Sequence, residues 1–324
     1  MSYISPDLHP EPARRATVLQ RVKSATVEPS FFALLIIILG VPFAILAQLR
    51  GLFGLLTTPA RVFNPIAWLH IVLFELLNPT HWRDLALQAA FPSILKISDS
   101  TWAYVKKPLL EQADGIVLEV GPGDGQSIKY YDSKKIKHLY LLEPFEALHA
   151  PLKAALHAAS SGAGAEKGAS NKGHKASPSE CLESKATILS AGVQDLDILA
   201  KNGIREESID TVVLVQVLCS IPDPKEHIKV ILSYIKPGGK LIMFEHVRSA
   251  HPLTRAIQAA WTPLWRFMAK GCEMTRPSGA WVSEIGGAQW ERQSHEGPLL
   301  RPTVEHDGEL LPHDVAVFVK AKRQ

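Results

Sequence analysis

Cysteine is scarce in this chain of 324 residues: the three present stand at 181, 219 and 272. An odd, widely spaced set excludes a disulfide scaffold and every zinc pattern built on paired cysteines, and a reducing compartment is the natural reading. Excess charge is lacking too. A net charge of +3 and a pI near 8.6 are too mild for a nucleic-acid binder. Thirteen histidines add charge only in acid. His295, His306 and His313 lack the i,i+4 or paired spacing of a metal site, so no metal is expected. No repeat of solenoid length is visible. Hydrophobic residues make up 46% and charged residues 21%, which excludes disorder of the whole chain. The length fits one large domain or two of ordinary size. The pattern specifies no oligomeric state.

From Pro29 to Leu49 charge is absent altogether. The heart of the run, FFALLIIILGVPFAILAQL from Phe31 to Leu49, lacks the polar stripe of a buried core helix. As a helix, the 21 residues from Pro29 to Leu49 rise about 31 Å, close to the ~30 Å hydrocarbon thickness of a bilayer. A cleaved signal peptide fits less well, because the run is too long and begins too late. We read it as membrane-inserted. Gly40 and Pro42 at its centre leave a straight span and a kinked, re-entrant hairpin both open. Arg14, Arg15, Arg21 and Lys23 precede the run, and Arg50 and Arg61 follow it, a weak lean towards a cytosolic N-terminus. A straight span would place the rest of the chain on the far side; a hairpin would keep both ends together.

A second apolar piece begins at Asn64 and Pro65, which read as N-cap and first helical residue of Ile66–Leu77. Twelve residues are too few to span. An interfacial helix with Trp68 at headgroup depth, a lid on the following domain and an ordinary core helix all fit. A short helix over Thr80–Phe91, stopped by Pro92, and another capped around Ser98–Ser100 lead to the first strand. The chain thus divides into a polar tail (1–28), an anchor or re-entrant helix (29–56), an amphipathic helical lead-in (57–112) and an α/β domain (113–324).

Past Gly115 strands and helices alternate. The expected strands are Ile116–Val120, His138–Leu142, Lys185–Ser190, Asp210–Gln216 and Lys240–His246, with a final one over His313–Lys320. A helix-like stretch follows the first strand, and helices are expected over Phe145–Ala159, Pro224–Ile235 and Leu253–Met268. The last of these is rich in Trp261, Trp265 and Phe267 and broken by Pro263; it is either an aromatic wall for an apolar ligand or plain core. Alternation implies a Rossmann-like, doubly wound parallel sheet covered on both faces, with ligands at the carboxyl ends of its strands. Residues 160–184 interrupt it: from Ser160 to Glu180 no large aliphatic or aromatic residue occurs, so a flexible surface insertion is expected.

The chemical signal is the loop Gly121-Pro122-Gly123-Asp124-Gly125, directly after the first strand. Three glycines let the backbone turn tightly against a ligand. A dinucleotide fold wants a further glycine where Gln126 stands, which disfavours an NAD(P) oxidoreductase. Glu143 ends the second strand, where a carboxylate can accept bonds from both hydroxyls of a ribose.

Glu119 to Gly125, Glu143, Asp210–Gln216 and Leu232–Gly239 together resemble the motifs of class I S-adenosylmethionine-dependent methyltransferases, over Gly115 to Val247. Three shorter motifs narrow the likeness: VLCSIPDP (Val217–Pro224), FEHV (Phe244–Val247) and GCEMTR (Gly271–Arg276) resemble the methyltransferase-like protein 7 group. The resemblance implies a membrane-associated enzyme with an N-terminal anchor, methylating a small lipophilic acceptor at a thiol sulfur. It implies S-adenosyl-L-methionine as cofactor, with the backbone at Gly121 and Gly123 facing its methionine part within the Gly121–Gly125 loop. Glu119 would help hold the ammonium through solvent and Glu143 the ribose. Gly192 stands where the superfamily often has an adenine-binding acid, so adenine recognition passes to the Val193 backbone and to Gln194 or Asp195. Gln216 would lie near the sulfonium and the acceptor, in a chain whose last strand is inserted antiparallel at the sheet edge.

A thiolate is the nucleophile, and a free thiol with a pKa of about 8.5 is a few per cent ionised at neutral pH, so a weak base or a positive field suffices. His246 is the candidate, with Glu245 as its alternative; a satisfied structural histidine is the competing reading. Cys219 and Cys272 read as small buried hydrophobes. Oxygen, nitrogen or carbon acceptors, and a non-catalytic membrane scaffold of the same fold, are the rival functions. Because S-adenosylmethionine is made in the cytosol, the catalytic domain is expected there, on the endoplasmic reticulum membrane, which favours the hairpin.

Overall fold

The computed structural model describes residues 33–161, 181–293 and 310–323, together with Leu19 and Lys23. The expected polar tail, the start of the anchor (29–32), most of the 160–184 insertion, and His295 and His306 lie outside the described residues. Two compact units are present, the first ending at Ser100 and the second starting at Thr101.

The first unit opens with helix α1, Ala33–Thr57, whose apolar composition and 25 residues suit it to a bilayer. It runs through Gly40 and Pro42 without reversing. A π-turn over Ile36–Gly40 sits directly before Pro42, and its wider ladder absorbs the donor that proline lacks. After a short turn of helix at Pro59–Val62 comes α2, Pro65–Leu76. Asn64 caps it as expected, its Oδ1 accepting from the amides of Ile66 (2.9 Å) and Ala67 (3.3 Å). The chain then returns along α1. Gln48 Nε2 donates to the Glu75 carbonyl (3.1 Å), and Gly40 lies against the backbone of Ala86 on α3, Pro79–Leu110. These two contacts are spaced as an antiparallel hairpin requires. Helix α3 is continuous where two helices divided at Pro92 were expected; one missing donor does not end a helix whose neighbouring bonds persist. The side chains of Ile37, Ile38, Phe43, Leu49, Phe53 and Leu56 on α1 are exposed.

The second unit is built on β1 (Gly115–Val120), β2 (Ile136–Leu142), α4 (His149–Ser160), β3 (Ala186–Leu189), α5 (Leu196–Lys201), β4 (Ile209–Val215), α6 (Pro224–Tyr234) and β5 (Ile235–His246). Then follow α7 (Pro252–Met268), α8 (Ser278–Gly286), β6 (Trp290–Arg292) and β7 (His313–Lys320). Seven strands form one sheet in the order β3-β2-β1-β4-β5-β7-β6. The pairs from β3 through β5 are parallel, and β7 runs antiparallel to both β5 and β6. This is the class I methyltransferase fold. The last strand is not at the edge, as expected, but inserted between β5 and the short β6.

Strand alternation sorts the core onto two faces. Leu118, Leu241, Met243 and Phe318 pack with Ile228, Ile231 and Val282 of α6 and α8. Val117, Ile242, Phe244 and Val317 pack with Leu109 and Leu110 of the last turns of α3 and with Leu152 of α4. Helices therefore cover both faces, which is why the central strands read as unbroken apolar runs. Three expectations change in detail. After the glycine loop there are turns and one 3-10 turn, Ile128–Tyr130, in place of a helix, because Gly123 and Gly125 adopt positive φ. Helix α7 continues through Pro263. β5 starts at Ile235, its pairing jumping from Ile209–Ile235 to Thr211–Lys240 around the expected Lys-Pro-Gly-Gly turn.

A Cβ at residue 40 collides with the Ala86 carbonyl, whereas one at residue 54 meets open space. Gly40→Val should therefore destabilise the helical unit by about 1–3 kcal/mol, seen as faster proteolysis within residues 33–100 in detergent. Gly54→Ala should leave the cleavage rate unchanged or slower.

Candidate active site

The first half of the site is made by backbone conformation. After β1 the chain turns at Gly121, Gly123 and Gly125, with φ of 66°, 62° and 86°. At Gly121 a Cβ would also stand 2.6 Å from Val217 Cγ2, so the loop after β1 rests directly on the loop after β4. Glu143 follows β2 and is 3% exposed. Its Oε2 accepts from the Gly123 amide and its Oε1 from the Phe145 amide, each at 2.9 Å. Burial raises its pKa, and these two N–H groups pull it back. Phe145, missed in the sequence, presents a half-exposed ring beside Glu143, with Lys270 Nζ 4.1 Å from its centroid. The signal that could have found it is an aromatic residue two places after the acid that ends the second strand.

Glu119 is placed differently from the expectation of a solvent-borne contact. It is 1% exposed; its Oε1 accepts from Ser127 Oγ (2.6 Å) and its Oε2 from Tyr131 Oη (2.8 Å). Burial pushes its carboxyl up to about 7. The side chain pins the turn that follows the glycine loop. On the β3 side, Asp195 Oδ2 accepts from the Gly192 amide (2.7 Å) and the Asp195 amide donates to the Gly192 carbonyl (3.2 Å), closing a tight turn. Val193 is buried in that turn, and Gln194 is exposed with its amide folded over Gly192.

The second half gathers at the ends of β4, β5 and β7. Gln216 has φ of 53°, unusual for a residue with a Cβ. Its amide donates to the Phe244 carbonyl (2.7 Å), and its Nε2 lies 3.0 Å from His313 Nε2. Glu245 Oε1 accepts from the amides of Val217 (2.8 Å) and Leu218 (3.1 Å), and burial pushes this carboxyl up to about 8. Arg276 Nη1 donates to the carbonyls of Leu218 (2.7 Å) and Ile221 (2.6 Å), while the Glu273 amide donates to the Cys219 carbonyl (2.9 Å). The loop after β4 is thus stitched to the segment 271–276.

That stitching brings His246 between two cysteines. Its Nε2 lies 3.0 Å from Cys272 Sγ, and Trp265 Nε1 donates to the same sulfur (3.3 Å). A hydrogen bond from Cys272 and the nearby imidazole hold the Cys219 thiol well below its ordinary range; Cys272 is pushed up in turn. Burial alone would lower His246, but Cys219 beside it carries it above its usual value. His313, paired with His246 across the strands, is pushed well down by burial and by the charges of His246 and Lys106. Taken singly, each cysteine reads as a small buried hydrophobe; their position in short motifs, in the loops after β4 and α7, was the available signal.

A sequence model of a methyltransferase domain family matches residues 70–290. The chain belongs to this family. It is 32% identical over 74 residues to thiol S-methyltransferase TMT1B of Rattus norvegicus, 22% of this chain and 30% of that protein. It is 32% identical over 96 residues to TMT1B of Homo sapiens, 28% and 38% of the two chains. The matched stretches span well under half of these relatives' lengths. An O-methyltransferase family protein from Burkholderia thailandensis aligns with a TM-score of 0.49 and 14% identity, covering 86% of this chain and 69% of that one.

Methyltransferases of this family use S-adenosylmethionine as methyl donor, and the residues present fit it. Gly121 and Gly123 offer backbone without a Cβ, and each Glu143 oxygen, bonded once, keeps a lone pair for a ribose hydroxyl. When bound, the cofactor supplies a methyl group activated on a cationic sulfonium.

Because the folded pKa of Glu119 (about 7) lies above its reference value of 4.5, the folded methyltransferase keeps a proton that the unfolded chain loses in that window. Stability contributed by the neutral acid is present below the lower value and falls as pH rises to the upper one. Glu119→Gln stays neutral throughout. Urea unfolding across the window should show the variant gaining on wild type by up to about 3 kcal/mol; parallel curves would show that Glu119 is ionised when folded.

Proposed function

We propose that this methyltransferase is membrane-associated and transfers the methyl group to the thiol sulfur of a small lipophilic acceptor. The observation that carries the reading is the junction of the two half-sites: Val217 touches Gly121, and two residues later Cys219 meets His246. A sulfur group held there lies beside the loop assigned to the donor. The printed names of the TMT1 relatives, thiol S-methyltransferases, support the same acceptor class.

In this reading the Gly121 and Gly123 backbone faces the methionine part of the cofactor, Glu143 takes the ribose, and Phe145 stands where the adenine face passes. Val193, Gln194 and Asp195 flank the adenine edge. Gln216 lies near the sulfonium and the acceptor. In-line displacement at sulfur asks chiefly for alignment, and near-attack placement supplies several kcal/mol. His246 handles the acceptor's proton, and Glu245 positions the loop that carries Val217. The exposed apolar side of α1 and the hairpin return of α2 and α3 support an anchor over 29–56 with a lead-in over 57–112. The catalytic domain in this reading covers 113–324, with its surface insertion at 160–184. We place it in the cytosol, at the endoplasmic reticulum membrane, because the cofactor is made there.

The test is transfer of label from S-adenosylmethionine by detergent-solubilised protein to a hydrophobic alkyl thiol, a phenol or a lipophilic amine. Label should appear on the thiol and vanish in Gly123→Arg. Label on the phenol or amine alone would overturn the thiol assignment while keeping the fold and the donor. Glu143→Ala should weaken S-adenosylhomocysteine about 10- to 100-fold by calorimetry, as expected for losing charge-assisted bonds of about 1.5–3 kcal/mol.

A further inference from the structure

The three short motifs that narrow the family resemblance each deliver one side chain to the same buried point. Cys219 comes from VLCSIPDP, His246 from FEHV and Cys272 from GCEMTR. They are 2%, 5% and 9% exposed, and their donor atoms all lie within 4.8 Å of one another. Ligands paired within one segment are absent from the sequence; these three arrive from separate segments, at the end of β5 and in the loops after β4 and α7.

Two thiols and an imidazole are soft and borderline donors of the kind that bind zinc. Around a tetrahedral ion with bonds of about 2.0–2.3 Å, such donors stand roughly 3.5–4 Å apart, which the observed cluster accommodates. Two thiolates and a neutral imidazole carry a charge that one divalent ion cancels, as a site closed to water requires. The surroundings are those of a built site. Trp265 Nε1 donates to Cys272 Sγ (3.3 Å), Ser220 Oγ lies 3.6 Å from Cys219 Sγ, and both cysteine-bearing segments are fixed to each other through Arg276 and the Glu273 amide. Three protein ligands leave a tetrahedral ion one open position, the arrangement found in catalytic and not in closed structural sites.

We propose that Cys219, His246 and Cys272 bind a zinc-like divalent cation whose fourth position receives the acceptor sulfur. The fourth ligand rests on the thiol reading given above; the three-residue site does not. In this arrangement His246 is a ligand and not the base: as the metal–sulfur bond forms, the acceptor's S–H bond breaks and its proton leaves to the buffer, with no change of oxidation state. The cation supplies the positive field that makes a thiolate at neutral pH, beside Val217 and the Gly121 loop.

The test uses the full chain in detergent, stripped with a chelator and titrated with Co²⁺. One equivalent should bind with thiolate-to-cobalt charge-transfer absorption and tetrahedral visible bands, and zinc should displace it. Cys219→Ser and Cys272→Ser should each reduce the charge-transfer intensity at unchanged circular dichroism. Trp265→Phe should weaken cobalt by about 10-fold or more. Should the cysteine variants fail to fold, zinc retained by wild type and released stoichiometrically by a thiol-blocking reagent supports the site. A wild-type protein that gives no charge-transfer band, or whose two cysteines are found as a disulfide, overturns it. Adding a hydrophobic alkyl thiol to the cobalt form should shift the visible bands. Unchanged bands together with label transferred to the same thiol would overturn the fourth ligand while leaving the thiol methyltransferase reading intact.

Discussion

The loop after β4 depends on a guanidinium that is almost out of water. Arg276 spans from its own segment to the carbonyls of Leu218 and Ile221, and its charge is answered by Glu273, 3.3 Å from its Nε. A buried arginine is tolerated only when its donors are used. Here they are used on backbone oxygens of a loop that has no helix or strand of its own. Cys219, His246 and Cys272 can meet because that loop is held, and Val217 can press on Gly121 for the same reason. The guanidinium therefore fixes the loop that joins the two halves of the site.

Three buried carboxyls differ in what they hold. Glu119 and Glu245 are the more deeply buried, and both are pushed towards neutrality. Each accepts two hydrogen bonds from the protein and fixes a loop at a strand end. Glu143 also accepts two, but it lies at the rim between the glycine loop and the half-exposed Phe145. Similar side chains at the ends of neighbouring strands thus pin scaffold loops in two cases and border the glycine loop in the third.

The sheet was legible because buried parallel strands must be apolar throughout, and runs such as IVLEV and TVVLVQ carry that pattern without help from distant residues. The glycine loop and Glu143 were legible for a related reason: a chain turning against a ligand at a strand end needs those residue types locally. What was hidden depends on long-range pairing. Proline at 92 and 263 reads as a helix stop, yet surrounding hydrogen bonds and packing carry both helices through. The short β6 contains too little pattern to announce itself and exists as a partner for β7. Glu119 reads the same whether its carboxyl faces water or two hydroxyls; only the positions of Ser127 and Tyr131 decide. The meeting of Cys219 with Cys272 is set by Arg276 and by the strand order, neither of which is a local property.

The insertion of β7 between β5 and β6 also fixes an order of events during synthesis. Until residues 313–320 have emerged, β5 is paired with β4 on one side only, and its other side, along the seven positions from Lys240 to His246 and through the apolar stretch Leu241–Phe244, is an open edge. Such an edge is a template for pairing with any other strand. The hairpin of α1 and α2 leaves the ribosome long before that edge can be closed. A nascent chain bound early through that hairpin would be kept apart from its fellows while its sheet is unfinished, so tethering here would protect folding as well as set location.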